Sequence, residues 1–491
     1  MMAKQKNLKI NMVLSAISSI MGIIVPIITF PYFSRILLPE GLGVYGFLTS
    51  FVNYFYVFAV LGVSTYGIIS CSKVRDKREL LSKTASELFL INMCLSIISY
   101  SVLFVLTFFI QKLNENWLYV LIIALSSVTT VLNMNWLVQA NEEYVFSTLR
   151  GMVTNIITII FLFIFVREQD DLIWYIYINM GFSVLSNIVN FFYAKRFVNL
   201  SFKHGFNIKR HIKPILLYFS ISLAVSVFMD IDKVILGFMT GEMGDYYVGI
   251  YEASSKINRI LITVVTGTVG VLCPRMSYLV SQNKMDEFHS MMRKALTYVF
   301  LLSISAVVFI SFFGQEVVLL LLGKEYVDAI LPMLVFLPIV VIKCVTNITN
   351  MYLMSTSKEY HMTIALFIGA VINIIINVLL IPKYNVLGVV IGTLISEAFV
   401  MVYQLISIKK FLRVVMKDFK YIMIIELLGL TIPSMYFCHS YININIFVNI
   451  LISGLIFLIE MILVMLANKD EIIMLLLNKI GRKVNGKRNN K

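Results

Sequence analysis

The chain is a succession of long apolar runs separated by short polar segments. The runs are continuous and do not alternate every second residue, so they predict helices and not the strands of a membrane barrel. A helix needs about 20 apolar residues to cross a bilayer. The pattern predicts fourteen such spans, at residues 10–33, 45–70, 87–110, 117–138, 149–166, 172–193, 214–238, 247–272, 295–314, 329–354, 361–381, 387–408, 421–438 and 444–467.

The composition indicates that the bilayer is the solvent of this chain. Hydrophobic residues make up 59% of its 491 residues and charged residues 14%, whereas soluble domains carry about 25% charged residues. The sequence therefore predicts an all-α polytopic membrane protein. The five cysteines are scattered and are expected to fill space within helices, without disulfides or metal; they are Cys71, Cys94, Cys273, Cys344 and Cys438.

Lysine and arginine predict the orientation, because cytoplasmic loops are rich in both. With the N-terminus inside, the inside segments hold 31 of the 41 lysines and arginines, and the outside loops hold five. One missed span would invert this alternation, so it also supports the number of spans. Both termini are expected in the cytoplasm. The net charge of +14 is spread over loops and forms no continuous basic surface, which argues against a nucleic-acid partner.

The spans divide into six, six and two. The basic segment 194–213 resembles a linker and predicts an N-terminal lobe (1–200), a C-terminal lobe (201–410), and a final region (411–491) with two helices and a basic tail. Leu38–Gly46 and Thr240–Tyr251 are both glycine-rich and contain Gly-Val-Tyr or Gly-Ile-Tyr. Because six spans separate these motifs, they predict a parallel repeat with a site between the lobes.

Smaller features complete the expected architecture. Residues 472–477 predict a short interfacial helix, and prolines predict bends in the first span (Pro26, Pro31) and the tenth (Pro332, Pro338). A phosphate-binding GxxxxGK[ST] loop, a metal-ligand spacing and a long outside loop are missing from the sequence, so enzymatic activity is not expected. The histidines lie in loops or at span ends, where solvated or interfacial roles are expected; they are His204, His211, His289, His361 and His439.

Ionisable residues inside the predicted spans are concentrated in the second half of the chain. Each costs roughly 2.5–3.5 kcal/mol to insert, so each needs a partner or a function. In the second half they are Asp230, Asp232 and Lys233 in the seventh span, Glu252, Lys256 and Arg259 in the eighth, Lys343 in the tenth, Glu397 in the twelfth, and Glu426 and Glu460 in the last two.

Some of these charges have a possible partner of opposite charge on the same helix, and others do not. Asp230 with Lys233, and Glu252 with Lys256, share a helix face, so simple neutralisation is one interpretation of these four. Arg259 and Lys343 have no acid three or four residues away, and they are expected to face a wet cavity, an acid on another helix or an anionic ligand. Glu397 is the candidate partner of Lys343.

One N-terminal stretch carries a family resemblance. Ile28–Tyr45, with the sequence ITFPYFSRILLPEGLGVY, resembles the N-terminal signature of Wzx-type polysaccharide flippases, and Tyr54–Gly67 with Arg75-Asp76 continues it. Trp136–Glu142 is similar to the family's Trp-Leu-Phe-Gln-Gly-x-Glu segment but departs from it at Val138 and Ala140. Gly249–Tyr251 and Gly323–Tyr326 extend the resemblance, which reaches about residue 410 in total.

This family is part of the multidrug/oligosaccharidyl-lipid/polysaccharide exporter superfamily. The resemblance implies two six-helix lobes plus two helices, and a central cavity lined mainly by helices one, two, seven and eight. It also implies movement of an undecaprenyl-pyrophosphate-linked oligosaccharide from the inner to the outer leaflet of a bacterial plasma membrane, for O-antigen, capsule or exopolysaccharide assembly. Membrane lipids, a polysaccharide polymerase and a chain-length regulator are the other expected partners.

The resemblance implies a function for the charges inside the membrane. A lipid pyrophosphate cannot cross the hydrocarbon unless other groups replace its hydration. The expected substrate-binding cations are Arg35, Lys233, Lys256, Arg259 and Lys343. The acids Asp230, Asp232 and Glu252 are candidates for a Na⁺ or H⁺ site that couples transport to a gradient. Arg35, with Glu40 five residues on, is either an interfacial cap or a substrate contact.

Three other functions stay open. A multidrug or cation antiporter would need uncompensated acids, whereas spans seven and eight hold three acids and three bases. A lipid II flippase for peptidoglycan belongs to the same superfamily and moves a similar substrate. A polysaccharide polymerase or scaffold differs in class, and a polymerase would need a large outside loop with catalytic basic residues.

Overall fold

The structure is a computed structural model that describes residues 8–200, 207–270, 272–417, 419–441 and 445–470. These residues form helices and connecting turns without a strand, which confirms the all-α class. Large apolar side chains stay exposed on helix surfaces, for example Phe367 at 63% and Leu379 at 65%. Such surfaces suit lipid contact, and the chain is a multi-pass membrane protein. The predicted helix at 472–477 lies outside the described residues.

The chain divides into two compact units. The first comprises Met1–Ala253 and Leu366–Ser396, and the second comprises Ser254–Ala365 and Glu397–Lys491. The predicted lobe boundaries at residues 200 and 410 stay a prediction. The helices of the first 270 residues are α1 (Leu8–Val60), α2 (Val63–Ser72), α3 (Arg78–Phe109), α4 (Gln111–Glu115), α5 (Trp117–Val128), α6 (Asn135–Ala140), α7 (Tyr144–Phe165), α8 (Leu172–Ala194), α9 (Lys209–Met239) and α10 (Gly244–Gly270).

The remaining helices continue to residue 467, with short 3₁₀ turns between several of them. They are α11 (Cys273–Ser281), α12 (Met285–Leu321), α13 (Ile330–Phe336), α14 (Pro338–Ser355), α15 (Tyr360–Tyr384), α16 (Val386–Ser407), α17 (Lys409–Met416), α18 (Tyr421–Tyr441) and α19 (Ile446–Ala467). The segment Lys324–Phe336 and α14 are bent by 48° relative to each other. This confirms the bend predicted from the prolines of the tenth span, and it falls at Pro338.

The described residues contain eleven helical segments long and apolar enough to cross a membrane, or twelve if that bent pair is one span. The predicted number of fourteen is therefore not confirmed. Two features account for the difference. Ile24–Ser72 counts as one segment of 49 residues, about 70 Å of helix, although two predicted spans fall within or overlap it. The helix α10 coincides with the predicted span 247–272 but is not among these apolar segments; it contains Asp245, Glu252, Lys256 and Arg259.

A backbone break divides α1 near its middle. Leu38 has φ of 56° and ψ of 174°, so the helical path is interrupted there. A positive φ is costly for a residue with a Cβ atom. The break lies seven residues after Pro31 and immediately before Pro39. It separates the first two predicted spans. The Gly-Val-Tyr motif lies in the second turn of the segment that follows.

The two glycine-rich motifs meet each other at this break. A Cβ atom on Gly43 would lie 1.7 Å from the carbonyl oxygen of Asp245, and one on Gly249 would lie 1.9 Å from that of Pro39. The residue that each glycine contacts lies four positions before the glycine of the other motif. Asp245 precedes Gly249 by four residues, and Pro39 precedes Gly43 by four. This reciprocal contact relates Pro39 to Asp245 and Gly43 to Gly249, which is the alignment expected of a repeat.

The stretches that carry the family resemblance also contact one another. A Cβ atom on Gly67 would lie 2.8 Å from the ring of Trp136, so only glycine lets the indole approach α2 this closely. Arg75, which follows the first stretch, pairs at 2.5 Å with Glu142, the last residue of the second. Trp136 is buried in a core to which α2, α3, α6, α8 and α9 contribute.

Helix α9 is held along the first unit by polar contacts at both ends. At its start, the buried carboxylate of Glu87 accepts hydrogen bonds from Arg210 and from the backbone N–H of Asn207 (2.9 Å), and it lies 2.8 Å from His211 Nε2. At its end, Lys112 Nζ donates to the Gly237 carbonyl at 3.0 Å. Lys112 also pairs with Asp245 at 2.8 Å.

The prediction of a solvated or interfacial His211 was wrong. Its side chain is 2% exposed, and its Nδ1 lies 2.9 Å from Tyr66 Oη. The reason is Glu87, a fully buried acid whose lone pairs need several donors. The ring of His211, at the end of the predicted linker, is one of the groups that contact this carboxylate.

Substitution of Gly43 tests the close crossing of α1 and α10. Gly43→Ala is expected to destabilise the protein by about 1–3 kcal/mol or more, because the added methyl group overlaps a backbone carbonyl that cannot rotate away. Gly181→Ala in α8 is the matched control, because no atom lies within 4 Å of its added Cβ. The apparent melting temperature in detergent measures both. Equal melting temperatures for the two variants would contradict the crossing.

Candidate functional site

Lys233 lies between two carboxylates in the first unit. Its Nζ is 3.3 Å from Glu252 Oε2 and 3.9 Å from Asp230 Oδ1, and the residue is 8% exposed. The predicted pair of Asp230 and Lys233 is therefore present, and Glu252 provides the shorter contact. Two opposing acids compensate the charge of a lysine that would otherwise be expensive to bury.

Asp230 also joins α9 to α1. Its Oδ2 accepts a hydrogen bond from Asn53 Nδ2 at 2.8 Å, and its Oδ1 accepts one from Ser50 Oγ at 3.4 Å. Asn53 Nδ2 also donates to Ser226 Oγ at 3.1 Å, one turn before Asp230. The first repeat thus contributes neutral donors to an acid of the second repeat.

Asp232 has a different environment from its neighbours. It is 2% exposed, and it accepts hydrogen bonds from Tyr251 Oη (2.6 Å), Asn377 Nδ2 (2.7 Å) and Thr393 Oγ1 (2.8 Å). Within the described ranges, no lysine, arginine or histidine nitrogen pairs with it. Lys233 points elsewhere, because adjacent residues of a helix do not share a face. Asp232 is therefore a buried acid surrounded by neutral donors.

Further oxygen atoms surround Asp232. Asn377 Oδ1 is buried and has no hydrogen-bond partner, while its Nδ2 also contacts Asn373 Oδ1 at 3.2 Å. Gly392 makes room for this arrangement, because a Cβ atom there would lie 2.2 Å from Asn377 Oδ1. Carboxylate, amide and hydroxyl oxygens are the ligands that hard cations prefer. The cluster therefore offers oxygen atoms of the kind that a small cation prefers.

The helix α10 carries Glu252, Lys256 and Arg259 at i, i+4 and i+7, which places them on one face. All three are half-buried. Arg35 is exposed on α1, in the turn before the break. The substrate-binding roles of Arg35, Lys256 and Arg259 stay predictions.

The predicted pair of Lys343 and Glu397 is confirmed within the second unit. Lys343 Nζ of α14 contacts Glu397 Oε1 of α16. The glutamate side chain is 2% exposed and the lysine side chain 29%. Because each residue neutralises the other, the presence of both charges inside the membrane is explained by packing. The only observation that supports a role of Lys343 in substrate binding is that part of its side chain stays exposed.

Sequence reasoning missed most of the neutral partners. A search restricted to ionisable residues passes over Asn53, Asn377 and Thr393, although each contacts a predicted acid. One signal was available: Asn373 and Asn377 recur at i, i+4 in an otherwise apolar span, which places two amides on one helix face. The buried acid Glu87 is the first residue of the predicted span 87–110, and nothing in the sequence indicated its partners.

The chain is similar to known proteins in sequence. Residues 8–280 match the family described as "Polysaccharide biosynthesis protein", and residues 215–379 match the family described as "MatE". The relative described as "Putative O-antigen transporter", from Escherichia coli strain K12, is 21% identical over 411 residues. That alignment covers 82% of this chain and 97% of the relative.

Solved structures show a similar fold. The structure described as "Lipid II flippase MurJ, inward closed conformation" has a TM-score of 0.64 at 17% identity, covering 92% of this chain and 97% of the other. An inward-facing multidrug resistance MATE family transporter of the MOP superfamily has a TM-score of 0.62 at 14% identity, covering 83% and 96%. At these identities, the likeness shows the fold alone.

The pair of Lys343 and Glu397 can be tested by a double-mutant cycle. Lys343→Met is expected to destabilise the protein by up to about 3 kcal/mol, because it leaves the buried carboxylate of Glu397 uncompensated. Lys343→Met combined with Glu397→Gln is expected to recover much of that loss. Apparent melting temperatures of the wild type, both single variants and the double variant measure the coupling. Additive effects would show that the two charges do not stabilise each other.

Proposed function

The chain belongs to the family of polysaccharide biosynthesis proteins, and from this premise we propose that it is a flippase for an undecaprenyl-pyrophosphate-linked oligosaccharide. It moves this lipid from the cytoplasmic to the outer leaflet of a bacterial plasma membrane, for O-antigen, capsule or exopolysaccharide assembly. Both termini lie in the cytoplasm. A polysaccharide polymerase and a chain-length regulator are its proposed protein partners.

The row of charges on one face of α10 is the observation that carries this proposal. Glu252, Lys256 and Arg259 extend over two turns of a helix within a chain whose spans are mainly apolar. Charges at such positions are expensive to insert and mark substrate pathways. A pyrophosphate needs cations to replace its hydration while the polyprenyl tail stays in the bilayer, and Lys256 with Arg259 supply two on one face.

Lys233 extends the same chemistry. Its ammonium group lies 3.3 Å from a carboxylate oxygen of Glu252 and 3.9 Å from one of Asp230. An arriving phosphate competes with these carboxylates for the lysine, and the carboxylates recover it when the phosphate leaves. This competition favours release, which a transporter requires as much as binding. Alternating access of such a cavity to the two leaflets completes the cycle.

We also propose that Asp232 couples transport to a gradient of Na⁺ or H⁺. Asp232 accepts hydrogen bonds from three neutral donors, and no basic side chain of the described residues pairs with it, so Na⁺ or H⁺ would supply the positive charge that this buried site lacks. For Na⁺, the ligands would be oxygens of Asp232, Asn377, Asn373 and Thr393. Asn377 Oδ1 supports this set, because it is buried and has no hydrogen-bond partner. A bound ion would tie α9, α15 and α16 together.

A cation or drug antiporter is the second candidate, and the same Asp232 favours it. Uncompensated acids attract cationic substrates, whereas the bases on α9 and α10 favour anions. A lipid II flippase is the third, supported by the shared fold alone.

Arg259→Ala tests the flippase proposal in cells. In the host strain without its own copy of this gene, wild-type protein is expected to restore surface polysaccharide and Arg259→Ala to fail, because the phosphate loses a cation in the membrane. Arg259→Lys is expected to restore part of it. Quantified surface glycan, with membrane protein level by immunoblot, measures the effect. Lys358→Gln changes an exposed lysine elsewhere and serves as the control.

Different failures separate the three functions. Full surface glycan with Arg259→Ala would remove Arg259 from the mechanism. Deletion of the gene with unchanged surface glycan would contradict the polysaccharide function. Altered efflux of a cationic dye would then favour the antiporter, and lysis with accumulated lipid II would favour the peptidoglycan precursor.

Asp232→Asn tests the coupling. In proteoliposomes, an imposed Na⁺ or pH gradient is expected to accelerate flipping of a fluorescent lipid-linked oligosaccharide by the wild type. Asp232→Asn is expected to lose this dependence, because an amide neither titrates nor offers a charge to a cation. Asp170→Asn, an exposed acid at the start of α8, should retain it. Retained acceleration in Asp232→Asn would exclude Asp232 as the coupling residue.

A further inference from the structure

A groove in the second unit lies away from the charges discussed above. It has a volume of about 910 Å³ and is formed by α11, the first part of α12 and the end of α19. A smaller cavity of about 250 Å³ adjoins it and shares Ser290, Lys294 and Tyr298 with it. Every lining residue of both belongs to the second unit.

The groove has an apolar wall and a basic rim. The wall consists of leucines and methionines, including Leu301, Leu302, Met461 and Met465. Arg275 and Lys294 line the same groove, and the smaller cavity adds two further basic residues. These two are Arg293 and Lys420.

Acidic residues are present, but two of the three are engaged. Glu287 pairs with Lys284 at 3.0 Å. Asp470 accepts a hydrogen bond from Tyr298 at 2.6 Å and lies 3.7 Å from Lys420. Asp286 is the third and is exposed. Arg275 is exposed, and within the described part of the chain it takes part in no ion pair. The two linings together contain four basic and three acidic residues, so their net charge is positive.

The two ends of the groove agree with the predicted topology. Arg275 and Lys294 fall in the segment predicted to be cytoplasmic between the eighth and ninth spans. Leu301, Leu302 and Met461 fall within the predicted spans 295–314 and 444–467. In this predicted topology, the cations lie at the level of the cytoplasmic headgroups and the wall extends into the hydrocarbon. A phospholipid of the inner leaflet has this same polarity.

We propose that this groove binds an anionic glycerophospholipid of the cytoplasmic leaflet. Its phosphate contacts Arg275 and Lys294, and an acyl chain lies along Leu301, Leu302 and Met461. Charge-assisted hydrogen bonds from arginine and lysine to phosphate are among the strong ones in proteins. The occupant is a bound lipid and not the transported one, so this site does not depend on the proposed function.

Two grooves in the first unit provide a contrast. They lie between α3 and α5 and are lined by apolar, aromatic and small polar side chains, without an acidic or basic residue in their linings. Such grooves accept acyl chains without selecting a headgroup. The basic rim is what distinguishes the groove of the second unit.

Native mass spectrometry of the full chain tests the proposal. In neutral detergent, titration with phosphatidylglycerol is expected to give a bound adduct, and phosphatidylcholine with the same acyl chains is expected to bind at least about tenfold more weakly, because basic residues favour anionic headgroups. Arg275→Gln with Lys294→Gln should abolish this preference. Lys358→Gln with Lys409→Gln, two exposed lysines outside the groove, should leave it unchanged.

A second variant tests the apolar wall of the groove without changing its basic residues. Leu302→Trp fills the apolar wall and is expected to weaken phosphatidylglycerol binding while both cations stay in place. Equal binding of the two phospholipids by the wild type would overturn the proposal. So would displacement of phosphatidylglycerol by equimolar undecaprenyl phosphate, which would assign the groove to the transported lipid. Thermal shifts by each lipid provide the same comparison if a variant yields too little protein.

Discussion

Two helices that touch backbone to backbone, at Gly43 and Gly249, set the arrangement of the charged residues in the first unit. No side chain separates α1 from α10 at this point. Tyr251 and Glu252 follow Gly249 by two and three residues, so the crossing determines how far they reach toward α9. Their contacts with Asp232 and Lys233 follow from that register. The glycines matter here for the separation of two backbones, not for a turn conformation.

The reciprocal crossing also shows how the two repeats have diverged. The alignment that pairs Gly43 with Gly249 pairs Gly46, Ser50 and Asn53 with Glu252, Lys256 and Arg259. The first repeat has a small residue and neutral polar side chains at these positions, and the second has charges. Ser50 and Asn53 donate to Asp230, so the first repeat solvates a charge of the second.

The sequence was sufficient wherever the signal is local. Continuous apolar runs predict helices, and prolines of the tenth span predict the bend at Pro338. The pair of Lys343 and Glu397 was predicted by elimination, because neither has a local partner of opposite charge. The surroundings of Asp232 could not be predicted, since Tyr251, Asn377 and Thr393 come from three helices whose register only the tertiary packing determines. His211 was misjudged for the same reason, because Glu87 lies far away in sequence.

The charged groups at the two ends of α9 are reached by water to different degrees. Near its end, the side chains of Lys112 and Asp245 are 17% and 27% exposed. At its start, Glu87 is fully buried, but its two partners differ, because the side chain of Arg210 is 44% exposed and that of His211 is 2% exposed. Mobile ions screen pairs that water reaches and have little effect on buried ones. Dissolved salt therefore weakens the contacts of Lys112 with Asp245 and of Arg210 with Glu87, whereas the contact between His211 and Glu87 holds the start of the helix at any ionic strength.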